Sequence, residues 1–464
     1  MPVLPAISSL RAEDAGQTWK LTVALPQMVV FQERSNATAW RLYLPGVSSA
    51  QASFPADPVL GTLKVISNGE GTTLELPWKY WCPTDYEITD SPAKLTVTFK
   101  KVYREVRTDA LATGVAHEHI RQADANGPLN IHVLRVDPRQ PGVRVEPALA
   151  NRELSSKLGT VSTITRTYGA IAGVNAGYFN MNTGQPLGLL MINGELISAP
   201  LFNRSALALG ANGEAFVGNT QLTNQLVVPS GEIYDFDGVN QQRGLNRMVL
   251  YTRHFGTSTQ TTPGGKEYSL LPDGTVLSMQ DCNTPIPLGG SVISAHGQAA
   301  QWLDRYVKIG TKLTVRSPLN DFWPGVKHAL GGGPTLVRAG NVLVTALEEQ
   351  FKPDITQGLA PRTAVGLLPS GEMLIVTVDG RQPSVSRGLS LTGLAYLLQQ
   401  MGATEGINLD GGGSTAMAIG PTVVNRPSDG VERRVNNALL VYAQNPTGIV
   451  VQPDMGSPEQ QAGR

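Results

Sequence analysis

Cysteine is almost missing from this chain: Cys82 and Cys282 are the whole supply among 464 residues. That excludes a fold stapled by disulfides, and two buried thiols are expected rather than a bridge. An excess of charge of either sign is missing as well. The 37 basic and 37 acidic residues cancel to a formal net charge of +0, which argues against nucleic acid held by bulk charge. No apolar run approaches the roughly 18 residues that a membrane span needs. Nor does the N-terminus carry a basic stretch followed by an apolar one; if the protein is exported, its signal has been removed from this chain. The six histidines are scattered, so none is given a central role, and His328 is read as a satisfied structural residue.

What is present is glycine (50) and proline (32), a usage that favours strands and turns over helical bundles. The length exceeds one ordinary core, so at least two domains are expected. Residues 12–108 read as a small all-β domain, with strands in TWKLTVAL, AWRLYLPGV, GTLKVIS, TTLELPW and KLTVTFKKVY. In the last, Leu95, Val97 and Phe99 alternate with Lys94, Thr96, Thr98 and Lys100, the period of a half-buried strand. Over 109–128 the pattern lapses, and a linker is placed there. It holds His117-Glu118-His119, a pair that could share a metal on a strand face; with no further ligand near, a solvated linker is the reading adopted. Residues 129–445 read as one large domain, and 446–464, polar with Pro and Gly, as a flexible tail.

The large domain carries many strand signals, among them LNIHVLRVD, VRVEPAL, IAGVNAGYF, AVGLL and MLIVTVD. Hairpin turns are marked by Asn193-Gly194, Asn212-Gly213 and Pro369-Ser370-Gly371. Helices are expected only over 161–168 (Thr160 as cap, Gly169 as stop), 298–307 and 391–401. Hairpins outnumber βαβ units, so the fold class is α+β, with a mixed, largely antiparallel sheet and few helices.

One stretch of this domain, residues 390–417, organises the rest. Leu391, Leu394, Ala395, Leu398 and Met401 share a helical face, Ser390 caps it and Gly402 stops it. A short strand over 406–409 then delivers Asp410, followed by Gly411, Gly412, Gly413, Ser414 and Thr415. Glycine amides approach a ligand closely because no Cβ intervenes, and a nest of them suits phosphate. Four further clusters sit at strand ends: Asn175 with Asn180, the loop 331–335, Arg362, and Asp379 with Arg381. Each alone is a turn. Together they offer carboxylates, arginines, carboxamides and glycine amides, and they are expected to converge.

At these residues the chain resembles the phosphodiester glycosidase family. The resemblance rests on GVNAGYF, NRMVLYTRHFG, GGGPTLV, PRTAVG, VDGRQPSVSRGLSLTGLAYLLQQMGA, GINLDGGGST and VNRPSDGVERRVNNALLV, in that order. It implies a hydrolase that cuts the glycosidic C1–O bond of a sugar 1-phosphodiester such as an N-acetylglucosamine phosphodiester, in an exported protein of the bacterial envelope or exterior. The strand-rich first hundred residues resemble, by pattern alone, the AMIN domains of bacterial envelope proteins, which implies cell-wall association; a generic β-sandwich appendage fits the pattern equally.

The inventory suits such a reaction. A phosphate monoester leaves as an anion, so the acid that an ordinary glycosidase needs becomes dispensable, and a cationic, N–H-rich pocket matters instead. Asp410 and Asp379 are the catalytic candidates. Arg362, Arg381 and the Gly411, Gly412 and Gly413 amides, with Ser414 and Thr415, would hold phosphate; Asn175, Asn180 and Asn408 would hold the sugar. No cofactor is required by this scheme, although Asp379 and Asp410 with Asn carbonyls could bind a divalent cation. Two alternatives stand beside it: a metal-assisted phosphodiesterase cleaving P–O, and a non-catalytic envelope glycan-binding protein.

Overall fold

The computed structural model describes residues 4–447, apart from 37, 51, 152–153, 155–157, 221–223, 317–322, 324 and 445. Its centre is an 8-stranded antiparallel sheet. In spatial order the strands are Asn341–Val342, Thr335–Arg338, Glu405–Asn408, Arg362–Leu367, Met373–Val378, Gly127–Val136, Val115–Asp124 and Tyr103–Ala112. The two middle strands are buried along their whole length, which is why TAVGL and MLIVTV read as continuous apolar runs rather than alternations. The 369–371 turn joins them in register, Arg362 opposite Val378.

Both faces of this sheet are covered. On one, Ile131, Val133, Ala364, Leu374 and Val376 pack against Leu394, Ala395 and Leu398 of the helix Leu391–Gln400. The Ser390 hydroxyl accepts the Gly393 N–H at 3.0 Å, and Gly402 (φ 91°) ends the helix as expected. On the other face Leu134, Val365 and Ile375 meet Val174, Met417, Leu439 and Val441. These belong to a 5-stranded sheet in which Ala172–Asn175 lies between Asn437–Tyr442 and Met417–Ile419. The two layers therefore bring Asn175 over the end of the strand that leads into Asp410.

Among the described residues every strand ladder is antiparallel except Gly238–Val239 beside Met248–Thr252 and the α-helices number 4, so the β-rich α+β expectation holds. The helices Val161–Thr167 and Gln298–Tyr306 fall where the pattern put them; the short Pro353–Thr356 helix carries too little pattern to be read. The first hundred residues form two 4-stranded sheets whose inward residues share one core, Trp19, Leu21, Val97 and Phe99 against Trp40, Leu42, Leu74 and Leu76. No helix among the described residues is long and apolar enough to cross a membrane. Both cysteines are free, Cys82 buried but Cys282 only half-buried.

The expected linker over 109–128 does not exist as one. Residues Tyr103–Ala112 and Val115–Asp124 are paired strands continuing the central sheet, and His117 is buried there. Polar residues broke the alternation, and two of them turn to partners on the next strand: His117 to His132 and His119 to Asn130. The tail placed at 446–464 lies outside the described residues, save 446 and 447; the Thr447 N–H donates to the Leu111 carbonyl at 2.8 Å.

Candidate active site

Asp410 follows directly from the Glu405–Asn408 strand, and its neighbours fix it from three sides. Its N–H donates to the Ala176 carbonyl at 2.9 Å, its own carbonyl accepts the Asn175 Nδ2–H at 2.6 Å, and one carboxylate oxygen accepts the Gly411 N–H at 2.9 Å. The carboxylate is half-buried. Burial pushes its pKa up to about 6, against the lowering pull of the Ser414 hydroxyl, the Gly411 N–H and the Arg433 charge. A carboxylate that titrates near neutrality at a loop end is suited to proton transfer.

Two arginines lie against the glycines. Gly412 adopts φ 61°, and a Cβ there would stand 3.2 Å from Arg381 Nη2. Arg381 is exposed, and no hydrogen bond or ion pair holds its guanidinium among the described residues. A Cβ at Gly413 would fall 2.0 Å from Arg433 Nη2, whose guanidinium is paired with Asp429. Glycine is needed at both positions so that cations can close over the turn.

The amides of that turn are less available than their sequence suggests. Gly412 donates to the Pro361 carbonyl, Ser414 to Gly411 and Thr415 to Gly412, and Gly411 to the Asp410 side chain; only the Gly413 N–H is outside these bonds. Ser414 and Thr415 are themselves buried. The expected nest is a 3₁₀ turn over Gly412–Ser414 that shapes the loop.

Arg362 also differs from expectation. It is 4% exposed, and its guanidinium donates to the carbonyls of Leu389 (2.9 Å), Ile355 (3.0 Å) and Gly358 (3.4 Å). No carboxylate pairs with it among the described residues. It is a buried cation that ties the 353–361 segment to the sheet, not an open fork.

Asp379 is fully buried. Its oxygens accept from Asn130 Nδ2 (2.7 Å), Asn425 Nδ2 (2.8 Å) and the Arg426 N–H (3.0 and 3.1 Å). Asn175 bridges Thr363 and Ala416 through its oxygen. Asn408 donates to the Tyr178 hydroxyl and to the Gly333 carbonyl. The clusters of Asn175, Gly333, Arg362, Asp379 and Asp410 thus converge through shared hydrogen bonds at one end of the sheet. Asn180 does not join them: its side chain accepts the N–H groups of Asn182 and Thr183 in its own turn. The cation considered for Asp379 and Asp410 does not fit this donor set, because Asp379 is committed to N–H donors. No three His, Cys, Asp or Glu side chains converge as ligands among the described residues.

Sequence reasoning missed Tyr178, Asn425 and Arg433 as site residues, although all three lie in stretches that carry the resemblance. It also missed Asn130, which no local pattern marks.

Residues 257–442 match the family model of the phosphodiester glycosidases; the match takes in Arg362, Asp379, Asp410 and Arg433. Mouse N-acetylglucosamine-1-phosphodiester alpha-N-acetylglucosaminidase is 30% identical over 172 residues, which is 33% of this chain and 32% of that protein. The chain therefore spans about a third of this relative. Among solved structures, a hypothetical protein from Synechocystis matches 96% of this chain and 82% of its own, with a TM-score of 0.66 at 23% identity. A candidate exported protein from Burkholderia pseudomallei covers 95% and 98%, with a TM-score of 0.57 at 20% identity. At these identities both are likenesses of fold.

Proposed function

We propose that the protein hydrolyses the glycosidic C1–O bond of a sugar 1-phosphodiester, with Asp410 as general base. The observation that carries this is the juxtaposition of one half-buried carboxylate, titrating near 6, with the uncommitted Arg381 over the same turn. Asp410 takes a proton from water as the water oxygen bonds to C1. The C1–O electron pair leaves on the phosphate monoester, whose growing charge Arg381 meets. Arg433 and the Gly413 N–H border the same space.

In this reading Asp379 and Arg362 are scaffold. Their burial keeps them from substrate, and they hold the loops that carry Arg426 and Leu389. Asn175 and Asn408 likewise support the Asp410 loop rather than bind sugar. The name of the mouse relative supports N-acetylglucosamine 1-phosphodiesters as the substrate class, and the name of the Burkholderia fold relative supports an exported setting. The N-terminal sandwich would then attach the enzyme to the cell envelope.

A turnover assay on a panel of sugar 1-phosphodiesters tests the proposal. Release of free N-acetylglucosamine and a phosphate monoester is expected. Binding of the panel with no turnover by any member would leave a glycan-binding protein in its place.

A further inference from the structure

Three of the six histidines meet on two neighbouring strands of the central sheet, Val115–Asp124 and Gly127–Val136. His117 Nε2 lies 3.0 Å from His132 Nδ1, and the His119 and His132 rings stack with centroids 4.3 Å apart at 6°. His119 Nε2 lies 2.7 Å from Asn130 Oδ1, and Asn130 Nδ2 lies 3.5 Å from His132 Nε2 and 2.7 Å from Asp379 Oδ2. We infer that these histidines are positioning residues for the reaction: they fix the amide of Asn130, which fixes Asp379, which holds the segment behind Asp410. The inference rests on the reading of Asp410 proposed above.

The partners assign the tautomers. Asn130 Oδ1 can only accept, so His119 carries its proton on Nε2. Asn130 Nδ2 can only donate, so His132 Nε2 is bare and its Nδ1–H donates to His117 Nε2. That leaves the His117 Nδ1–H directed at Asp109 Oδ2, 3.8 Å away, an oxygen that also lies 3.1 Å from Arg107 Nη2. Every proton has one place, and the Asn130 amide has one orientation. A charged His117 or His132 ring would break the pattern by placing a donor against a donor. Burial keeps the His117 and His132 rings uncharged, holding the His117 pKa down to about 4 and that of His132 well below its ordinary value.

The charged and titratable groups facing the stack are Arg107 and Asp109 from the neighbouring strand and Asp379 beyond Asn130. Opposite His132 on the inner side stands Thr377.

One hydrogen-bonded route and one row of strand register lead on to the site. Through Asp379, Asn425 Nδ2 is held while it donates to the Thr415 carbonyl (3.3 Å), and Asn425 Oδ1 accepts the Met417 N–H (2.8 Å). Across the sheet, His119, His132, Thr377 and Thr363 stand in one register row. Thr363 donates to Asn175, which donates to the Asp410 carbonyl.

His119→Phe keeps a stacking ring but loses the donor, whereas His119→Gln keeps a donor. In the full-length protein, His119→Phe is expected to lower kcat about tenfold with KM nearly unchanged, and to move the carboxyl ¹³C titration of Asp410 away from its wild-type midpoint. His119→Gln should restore both. Asn130→Asp should add a loss of activity with rising pH that the wild type lacks, as two adjacent carboxylates ionise together. Imidazole ¹⁵N spectra should show His119 protonated on Nε2 and His132 on Nδ1 at pH 6. An imidazolium or the opposite tautomer at His132 overturns the inference, as does a His119→Phe protein with unaltered kcat and unaltered Asp410 titration. Should the wild type turn over no sugar phosphodiester, the proposed function fails on its own, while the ¹⁵N and ¹³C measurements still decide the positioning network.

Discussion

Asp410 is where function works against stability. Its folded pKa, raised to about 6, means that the folded state binds its proton more tightly than the unfolded chain does. The stabilising contribution is therefore fully present below about pH 3.8 and is lost as pH rises through 6. Asp410→Asn should lower turnover by at least about 100-fold, yet raise the melting temperature at pH 7 to 8 and not at pH 4. A simple cap would give neither result, since asparagine caps nearly as well as aspartate. The two arginines separate in the same way. Arg381→Gln should impair phosphodiester hydrolysis far more than hydrolysis of a nitrophenyl glycoside, with stability unchanged, because its guanidinium has no structural partner. Arg362→Lys should cost about 1–3 kcal/mol in urea unfolding, since a lysine cannot reach three carbonyls at once. The place of Asp410, after a strand and before a glycine turn, was legible in the sequence because the short apolar run and the three glycines mark both. The direction of the Arg362 side chain was not, because a strand-end position does not say whether a residue faces the cleft or the protein.

The neighbouring strands Val115–Asp124 and Gly127–Val136 carry their own pH signature. His117 and His132 have folded pKa values below that of an unfolded histidine. Their contribution is present above about pH 6.5 and is lost as pH falls towards 4. Urea unfolding of the wild type should show that loss, and His117→Phe should flatten it; an unchanged slope in the variant would remove the buried-neutral assignment. Tyr103–Ala112 and Val115–Asp124 escaped the sequence reading because periodicity recognises apolar faces, and here polar residues such as His117 and His119 interrupt the apolar row. The helix Leu391–Gln400 and the 369–371 hairpin were legible because their caps, stops and apolar stripes agree with one another.

Across the whole molecule, the N-terminal sandwich has its own core, and the catalytic candidates all lie beyond it. A chain beginning near Val102 should fold and retain turnover. One beginning at Asn126 should not fold, because it removes the ladder partner of Gly127–Val136 and the histidine stack; proteolysis resistance of the two truncated chains checks this. The layer order of the large region was beyond the sequence, since its pairings join segments as distant as Ala172–Asn175 and Met417–Ile419. The convergence of the clusters was foreseen only because each follows an apolar strand. The most direct test of the central claim is hydrolysis of an N-acetylglucosamine 1-phosphodiester in ¹⁸O-water. Cleavage at C1 with Asp410 as base predicts label in the free sugar and none in the phosphate monoester, whereas label in the phosphate would mean P–O cleavage and contradict it.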